Sequence, residues 1–507
     1  MALLGTLVKA GIEINSKISL GTEDPQRQQL NQLKKLLQAA EATAFGKFYG
    51  FKELLNSDDL IKKFKAEVPI FDYHQMNDAW WKQQLKYSDI TWPGKPEFFA
   101  LSSGTTGKKS KRIPITSDFL QSMKDVGSEQ VKALANFDLP QSLFESDILM
   151  LSSSANLSKH DHGHLEGEIS GINVSNFPGW YDLFYRPGIE IASIPDWDDR
   201  VKAIVKEAPN WNIGAIAGIP SWVVLLLKEI IAHHKLSTIH DLWPNLTAYA
   251  SGGVAFDTYA KDFEMLTAKP LTIMDTYLAS EGFFAFTARP DTMAMQLALN
   301  HGYFYEFIPF NDLGVDEQGN LLDDPVSLNL DEVVTDQEYV LIVSTCSGAW
   351  RYQIGDVIKF TSTDPYEIKI TGRTKFFLNA VGSQLSEEKM DKAILEVSQD
   401  QSAVVSEYMV AALQNESGDY YHQWIIVSED AIEEDHFKRA LDESLKNSNK
   451  NYKIARNKAL KDIKLRKISK AVYYNYLDAK KKKGGQVKTP KVMSSEKMVD
   501  FLERLEL

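Results

Sequence analysis

Four short segments concentrate the residue types that handle a phosphorylated ligand. The first is LSSGTTGKKSKRIP, Leu101 to Pro114, which follows the apolar run Phe98–Leu101. Glycine lets backbone N–H groups approach a phosphate closely, hydroxyls donate further bonds, and lysine supplies charge. It is not a Walker A loop. That motif needs glycine five residues before the Gly-Lys pair, where this chain has Ser102, and Ser or Thr where it has Lys109. The same composition also fits an exposed turn with solvated lysines. The second segment is MDTYLASEG, Met274 to Gly282. Its aromatic, hydroxyl and carboxylate groups could stack a base, touch a phosphate and hold Mg²⁺, which usually takes only one or two protein carboxylates. Taken alone, Glu281 reads more often as an ordinary surface acid.

The third segment, WRYQIGDVIKF from Trp350 to Phe360, sets Asp356 after Gly355 at a strand end. An acid there can accept both ribose hydroxyls, although a Gly-Asp β-turn is the plainer reading. The fourth, ITGRTKFFLNAVGSQLSEE from Ile370 to Glu388, sits at a shift in composition. Two further features carry reactive side chains. His160, His162 and His164 alternate in KHDHGHLEGE and would share one strand face. Three imidazoles could bind zinc, but the spacing fits neither HExxH nor a finger, and a polar loop or pocket wall is the preferred reading. Cys346, the single cysteine, excludes an intrachain disulfide and reads as a small buried core residue.

The elements that must position these residues alternate. Leu30, Leu33, Leu36 and Leu37 mark one face of a helix over about Asp24–Phe45. Short apolar runs follow at Phe98–Leu101, Ser146–Ser154, Ile213–Pro220, Leu246–Gly253 and Tyr339–Thr345. Helical patterns at Trp197–Ala208 and Ser221–His234 lie between them. Buried strands alternating with helices predict an α/β architecture. With 507 residues, more than one domain is expected. From Ser386 onward Lys and Glu rise, and the basic run Lys480–Lys483 leads into Gly484 and Gly485. A smaller α+β domain is therefore expected over residues 379–507, beyond a large domain over 1–378.

The net charge of -13 argues against nucleic acid as a partner. Lys9, Glu13 and Lys17 interrupt the N-terminal apolar residues, so an amphipathic helix is expected there rather than a signal peptide. No apolar stretch reaches a membrane span; the longest candidate, Trp222–Ala232, is broken by Lys228 and Glu229. A soluble, cytoplasmic chain without a membrane partner is the expectation.

In this order and spacing the segments resemble the adenylate-forming superfamily, and within it the Gretchen Hagen 3 family of acyl-acid amido synthetases. SSGTTGKKSKRIP is similar to the family's phosphate loop, Tyr277–Glu281 to its second nucleotide motif, and Tyr352–Asp356 to its ribose motif. FGKFYGF (Phe45–Phe51), VPIFDY (Val68–Tyr73), AGIPSW (Ala217–Trp222) and GGQVKTPKV (Gly484–Val492) extend the likeness along the chain. The resemblance implies a large N-terminal adenylate-forming domain with mixed β-sheets and flanking helices, and a smaller mobile C-terminal one. It implies that Ser102, Ser103, Gly104, Thr105 and Thr106 wrap the ATP phosphates. Ser251, Gly252 and Gly253 would line the adenine, with Thr276 beside it and Tyr277 covering the base. Ser280 would meet the α-phosphate, Glu281 would hold Mg²⁺, and Asp356 would take the ribose hydroxyls with help from Arg373. Asn379 would lie near the hinge, and Lys488 would be the lysine carried in by the small domain. Trp350 departs from the tyrosine common at its position, which leaves open what its ring touches; the contact of Arg351 is equally open.

The implied chemistry is coherent. A carboxylate is a poor electrophile, and attack on the α-phosphate of ATP converts it to an acyl-adenylate with AMP as leaving group. Charge builds on phosphate oxygens in that step, so fixed donors, Mg²⁺ and a lysine are needed there, and no nucleophilic side chain. Acyl transfer to an amine, an amino acid by resemblance, would follow. Transfer to coenzyme A, or a nucleotide-binding protein without catalysis, are the alternatives.

Overall fold

The computed structural model describes residues 24–505 apart from 103–110, 161, 178, 180–182, 254–255, 317–318, 375–384, 386, 416–418, 450–451, 454, 457–459 and 480–490. The expected N-terminal amphipathic helix, the domain boundary at 379 and the hinge residue Asn379 lie outside the described residues.

The expected first helix is Pro25–Ala40, capped by the Asp24 carboxylate, which accepts from the Arg27 N–H, with proline at its first position. The chain turns there, and a second short helix, Ala44–Phe48, follows. Leu33, Leu36 and Leu37 are buried as the periodicity requires. Gln29 and Gln32 are buried beside them and donate to the carbonyls of Tyr303 and Asn300, so this helix is pinned to the sheet by polar bonds as well as apolar contact.

Two sheets build the large part. The smaller has four strands, β1 (Phe98–Ser102), β2 (Lys111–Ile115), β4 (Ser158–Lys159) and β5 (Leu165–Gly167), in the order β2-β1-β5-β4. The larger has eleven: β3 (Asp147–Met150), β6 (Tyr185–Arg186), β7 (Ile213–Gly218), β8 (Ala248–Gly252), β9 (Thr272–Ala279), β10 (Gly282–Phe286), β11 (Met295–Leu297), β12 (Tyr303–Pro309), β13 (Glu338–Thr345), β14 (Tyr352–Thr363) and β15 (Tyr366–Arg373). Their order is β12-β13-β14-β15-β11-β10-β9-β8-β7-β3-β6. Strands β6, β3, β7, β8 and β9 run parallel, whereas every pairing from β9 to β12 is antiparallel. The sheet therefore changes character at β9. Ligands of open α/β sheets gather outside the carboxyl ends of parallel strands, and the end of β9 carries Ser280 and Glu281.

The helix Pro220–His234 covers the parallel half, burying Trp222, Val223, Leu226, Leu227 and Ile230. The helix Trp197–Glu207 packs beside it in the same apolar cluster. In β12 and β13 nearly every residue is buried, which explains the continuous apolar runs there in place of an alternating pattern.

From Glu387 onward the chain forms its own three-stranded sheet of β16 (Glu407–Gln414), β17 (Tyr420–Val427) and β18 (Leu460–Ile468), ordered as numbered. Alternation along β16 splits its side chains between two cores. Tyr408 and Val410 face the helices Glu387–Asp400 and Glu434–Ser448, while Met409, Ala411 and Leu413 face Lys470–Ala479 and Ser495–Leu505. The small unit thus has a helical layer on each face of its sheet.

The histidine triplet takes the polar-loop reading preferred for it. It does not sit on a strand face but on the turn joining β4 to β5, where the His160 N–H donates to the His164 carbonyl and Gly163 takes a φ of 87°. That left-handed residue breaks the two-residue alternation on which a shared strand face depends.

Candidate active site

A cavity of about 1660 Å³ opens at the carboxyl ends of β7, β8 and β9 and reaches the small unit. Gly252, Gly253, Thr276, Tyr277, Ser280, Glu281, Asp356 and Arg373 all line it. Residues separated by more than a hundred positions in sequence thus meet around one space. Ser251 lies just behind, fully buried, with its carbonyl accepting from the Thr276 hydroxyl at 2.8 Å. Gly252 sits opposite Thr276 in the β8–β9 register, and a Cβ there would come 2.7 Å from the Thr276 hydroxyl. Glycine is what lets these strand ends close up and leave bare backbone towards the cavity.

Ser280 and Glu281 are the tip of a tight hairpin, since Ala279 pairs directly with Gly282. Glu281 is 5% exposed. Burial raises its pKa, with Asp356 adding to the rise and Lys111 opposing it. A hard cation beside this carboxylate would relieve the same penalty. A single buried carboxylate next to a phosphate-sized space is the donor set Mg²⁺ accepts when nucleotide oxygens complete its shell.

Asp356 and Arg373 stand directly opposite one another on β14 and β15. The Arg373 Nε lies 2.7 Å from Asp356 Oδ1, and the Tyr277 hydroxyl donates to Oδ2 at 2.6 Å. Burial and the Asp356 charge push the Tyr277 pKa well up, so its phenol stays protonated and keeps donating. Gly355 takes a φ of 96°, a conformation that favours glycine, and so turns the strand where Asp356 enters the cavity wall. The Tyr277 ring is 3% exposed and meets Phe284 edge-on at 5.2 Å. Its visible work is to orient Asp356, a contact the sequence did not indicate.

Ser102 ends β1. Ser103, Gly104, Thr105, Thr106 and Lys488 lie outside the described residues. Both strands that bracket the loop are described, and they pair from Phe98↔Ile115 to Ser102↔Lys111. Lys111 lines the cavity, stands 5.4 Å over the Tyr73 ring and acts electrostatically on Glu281. Sequence reasoning counted the lysines of this loop without singling out Lys111. Its place on an apolar-flanked strand was the available signal.

The two open questions of the third motif have structural answers. The Trp350 ring is fully buried and packs against Phe45, Phe51, Phe64 and Trp92, with its N–H donating to the Thr91 carbonyl at 3.0 Å. Arg351 makes a forked ion pair with Glu306, at 2.9 and 2.8 Å, and donates to the carbonyls of Lys65 and Val68 at 2.6 Å. Phe71 then bridges to Tyr352. VPIFDY is thereby held against β14, with Tyr73 beneath Lys111. Cys346 is 5% exposed and burial pushes its thiol up to about 12, so it is an unreactive core residue at neutral pH.

The histidine cluster is built for packing. Nitrogen and oxygen atoms of His160, His164 and Glu166 lie within 4.8 Å of one another. However, the His160 and His164 rings stack at 4.5 Å with an interplanar angle of 18°, so their in-plane lone pairs run side by side instead of converging. Glu166 is already held by the Arg112 fork and by His164. None of the three lines the cavity. The group ties β5 to β2 across β1, the strand that leads into the candidate phosphate loop.

The small unit contributes Glu387, Asp391, Glu407, Tyr408 and Lys491 to the cavity wall. Lys491 pairs with Asp391 at 2.6 Å and with Glu387 at 3.3 Å. The Tyr259 hydroxyl of the large part donates to Glu407 of the small one.

Models of the GH3 family match this chain in three blocks. The GH3 family N-terminal domain covers residues 15–206, the central domain 296–373 and the C-terminal domain 388–497. The chain belongs to the GH3 family. Its relatives include indole-3-acetic acid-amido synthetase GH3.2 of Arabidopsis thaliana, 25% identical over 205 residues, a match spanning 38% of this chain and 37% of that enzyme. Jasmonoyl-L-amino acid synthetase JAR6 of Nicotiana attenuata is 22% identical over 440 residues, 74% of this chain and 73% of that one. The chain thus spans little more than a third of the GH3.2 relative and of the rice relative GH3.8, for which the share is 36%. Among solved structures, the AtGH3.15 acyl acid amido synthetase in complex with 2,4-DB superposes with a TM-score of 0.80 at 16% identity, covering 99% of this chain and 96% of that one. A 2-hydroxyisobutyryl-CoA ligase in the postadenylation state follows with a TM-score of 0.60 at 13% identity, covering 95% and 91%. The fold of this chain is that of the GH3 structure. Among the described residues no helix is long and apolar enough to cross a membrane.

Proposed function

We propose that this GH3 protein adenylates a carboxylic acid with ATP and transfers the acyl group to an amine, an amino acid being the acceptor class its amido synthetase relatives name. The observation that carries the reading is the meeting of Asp356, Arg373, Gly252, Gly253, Ser280 and Glu281 around one cavity at the end of β9. In this reading Asp356, steadied by Tyr277 and Arg373, accepts the ribose hydroxyls. The backbone of Ser251–Gly253 lies along the adenine, next to Thr276. Ser103–Thr106, following Ser102, wrap the phosphates, and Ser280 donates to the α-phosphate. Glu281 would hold Mg²⁺, which supplies charge neutralisation on the phosphate oxygens when bound. Lys111 adds a fixed positive charge from the large part. Lys488, carried by the small domain, would stabilise the anhydride as it forms.

No side-chain nucleophile is used, which suits a buried, protonated Cys346. The cavity wall contributed by the small unit suits a second step in which an acceptor enters between the two parts. We assign residues 379–507 to that smaller domain and read the protein as soluble and cytoplasmic. The test is acid-dependent ATP–pyrophosphate exchange over a broad panel of carboxylic acids, followed by addition of amino acids or coenzyme A. Exchange that depends on the acid, with amide as product, is expected. Thioester in place of amide would move the protein to the coenzyme A alternative, and no exchange with any acid would remove adenylation.

A further inference from the structure

The cavity extends well beyond the nucleotide residues. Its far wall is built at the ends of β3 and β7, where Leu151, Ile219, Trp222 and Leu225 present an apolar surface. In the sheet β3 stands three strand positions from β9, a lateral distance of roughly 14 Å at the usual strand spacing. An acid whose carboxylate meets the α-phosphate near Ser280 would direct its body towards this wall.

One charged side chain interrupts the apolar surface. Glu168 lines the cavity just before the helix Ile169–Ser175. Its Oε2 is buried and has no hydrogen-bond partner among the described residues. Burial raises its pKa, and Ser153 and Arg200 work against that rise. Arg200 is 4% exposed, and its Nε is likewise buried without a partner. Its guanidinium lies 5.3 Å over the Trp197 ring, which meets the cavity-lining Trp222 edge-on at 4.9 Å. Arg200 acts on Glu168 through its charge, while Glu168 Oε2 and Arg200 Nε are both left without a hydrogen-bond partner among the described residues. Buried polar groups left unmade in this way are costly and call for a partner.

The partner's chemistry follows from Glu168, which lines the cavity, and from the charge of Arg200, which does not line it but acts on Glu168. A second carboxylate only accepts and would be repelled by Glu168. An ammonium only donates, and the Arg200 charge already offsets the Glu168 charge that it would answer. A hydroxyl both donates and accepts, and it is neutral, so it suits Glu168 whether or not that carboxyl is ionised. We propose that this cavity takes an apolar carboxylic acid bearing a hydroxyl at the end remote from its carboxylate, and that Glu168 is the residue that reads the hydroxyl. The inference rests on the adenylation reading above and specifies its substrate class.

The experiment is pyrophosphate exchange with matched pairs of acids: para-hydroxyphenylpropionate against phenylpropionate, and omega-hydroxyoctanoate against octanoate. In at least one pair the hydroxylated acid is expected to show a kcat/KM higher by about tenfold or more, the scale of one made or missing hydrogen bond in a site built for it. Glu168→Leu should bring that ratio to about one or below, whereas Glu168→Gln, whose amide oxygen still accepts, should keep a clear preference. Circular dichroism and thermal melting confirm that each variant is folded. Should Glu168→Leu not fold, the wild-type ratio and the Glu168→Gln ratio decide the matter. A wild-type ratio near one in both pairs, as expected if a buried water answers Glu168, overturns the proposal. So does a preference that survives in folded Glu168→Leu. Either result leaves adenylation standing, because exchange is still observed; absence of exchange across the broad panel removes the parent reading and this one with it.

Discussion

Asp356 accepts from two directions before any ligand arrives. Arg373 and Tyr277 hold its two oxygens at 2.7 and 2.6 Å, which fixes its orientation and leaves lone pairs for two ribose hydroxyls. Asp356→Ala removes those acceptors and strands the Arg373 charge. ATP affinity is expected to fall by at least about tenfold, since a charge-assisted hydrogen bond contributes on the order of 1.5–3 kcal/mol, while affinity for the acid changes much less. Calorimetry with ATP and with acid on folded protein separates the two, and unchanged ATP affinity would take Asp356 out of the site. Glu281 makes a prediction of opposite sign for stability and activity. Its pKa is raised in the folded chain, so the folded state binds its proton more tightly than the unfolded state does. The resulting penalty is absent at pH below the unfolded value, grows as pH rises through it, and is complete above the folded value. Glu281→Gln without nucleotide should therefore melt higher than wild type at neutral pH and equally at about pH 4. The same variant should lose acid-dependent exchange by roughly two orders of magnitude or more. A melting difference that does not shrink on acidification would show that burial of the Glu281 charge is not its cause.

At the level of elements, one side chain reinforces the backbone bridge that joins the segment VPIFDY to strand β14. Arg351 pairs with Glu306 where the two side chains are 6% and 1% exposed, and caps the carbonyls of Lys65 and Val68. Breaking a buried pair of this kind typically costs about 3–5 kcal/mol. Lysine cannot reproduce a fork that reaches a carboxylate and two carbonyls together. Arg351→Lys is expected to be destabilised by an amount near that range in urea denaturation. It should also weaken exchange through the displaced Tyr73 and Lys111. A variant with wild-type stability would show that the Arg351–Glu306 pair is not what holds the segment. The hairpin tip at Ser280 and Glu281 depends in turn on β9, where the eleven-stranded sheet passes from a parallel neighbour on one side to an antiparallel neighbour on the other.

For the whole molecule, the cavity is shared between two units with separate cores. A residue of the small domain can serve the phosphate site in one arrangement and leave it in another. Lys488 is the residue assigned to that part. Lys488→Ala should lower acid-dependent pyrophosphate exchange by about two orders of magnitude or more, the scale of removing one transition-state donor. Given preformed acyl-adenylate and an amine, the same variant should still form the conjugate at a near-normal rate. Equal loss of both half-reactions in a folded variant would mean that Lys488 does not alternate between them.

Much of this molecule was legible from local pattern. The strands Ile213–Gly218, Ala248–Gly252 and Glu338–Thr345 and the helix Pro220–His234 fall within a few residues of the apolar runs that announce them, because burial on both faces of a sheet leaves its mark in consecutive side chains. Glycine at Gly355 is demanded by local backbone geometry, whereas Gly252 is demanded by the approach of Thr276 on the next strand. The contacts between segments were not legible. Nothing near Tyr277 in sequence says that its hydroxyl will meet Asp356, 79 residues away. Nor does the surrounding sequence say that Arg351 will find Glu306, or that Glu168 will stand with an unanswered oxygen at the cavity wall. The histidine alternation taken alone would set three rings on one strand face; the turn at Gly163 makes it instead the polar loop preferred for it. Period and composition are properties of neighbours along the chain and fix what each element is. Which side chains share a buried space depends on strand order and register, and these are decided only when the whole sheet closes around its core.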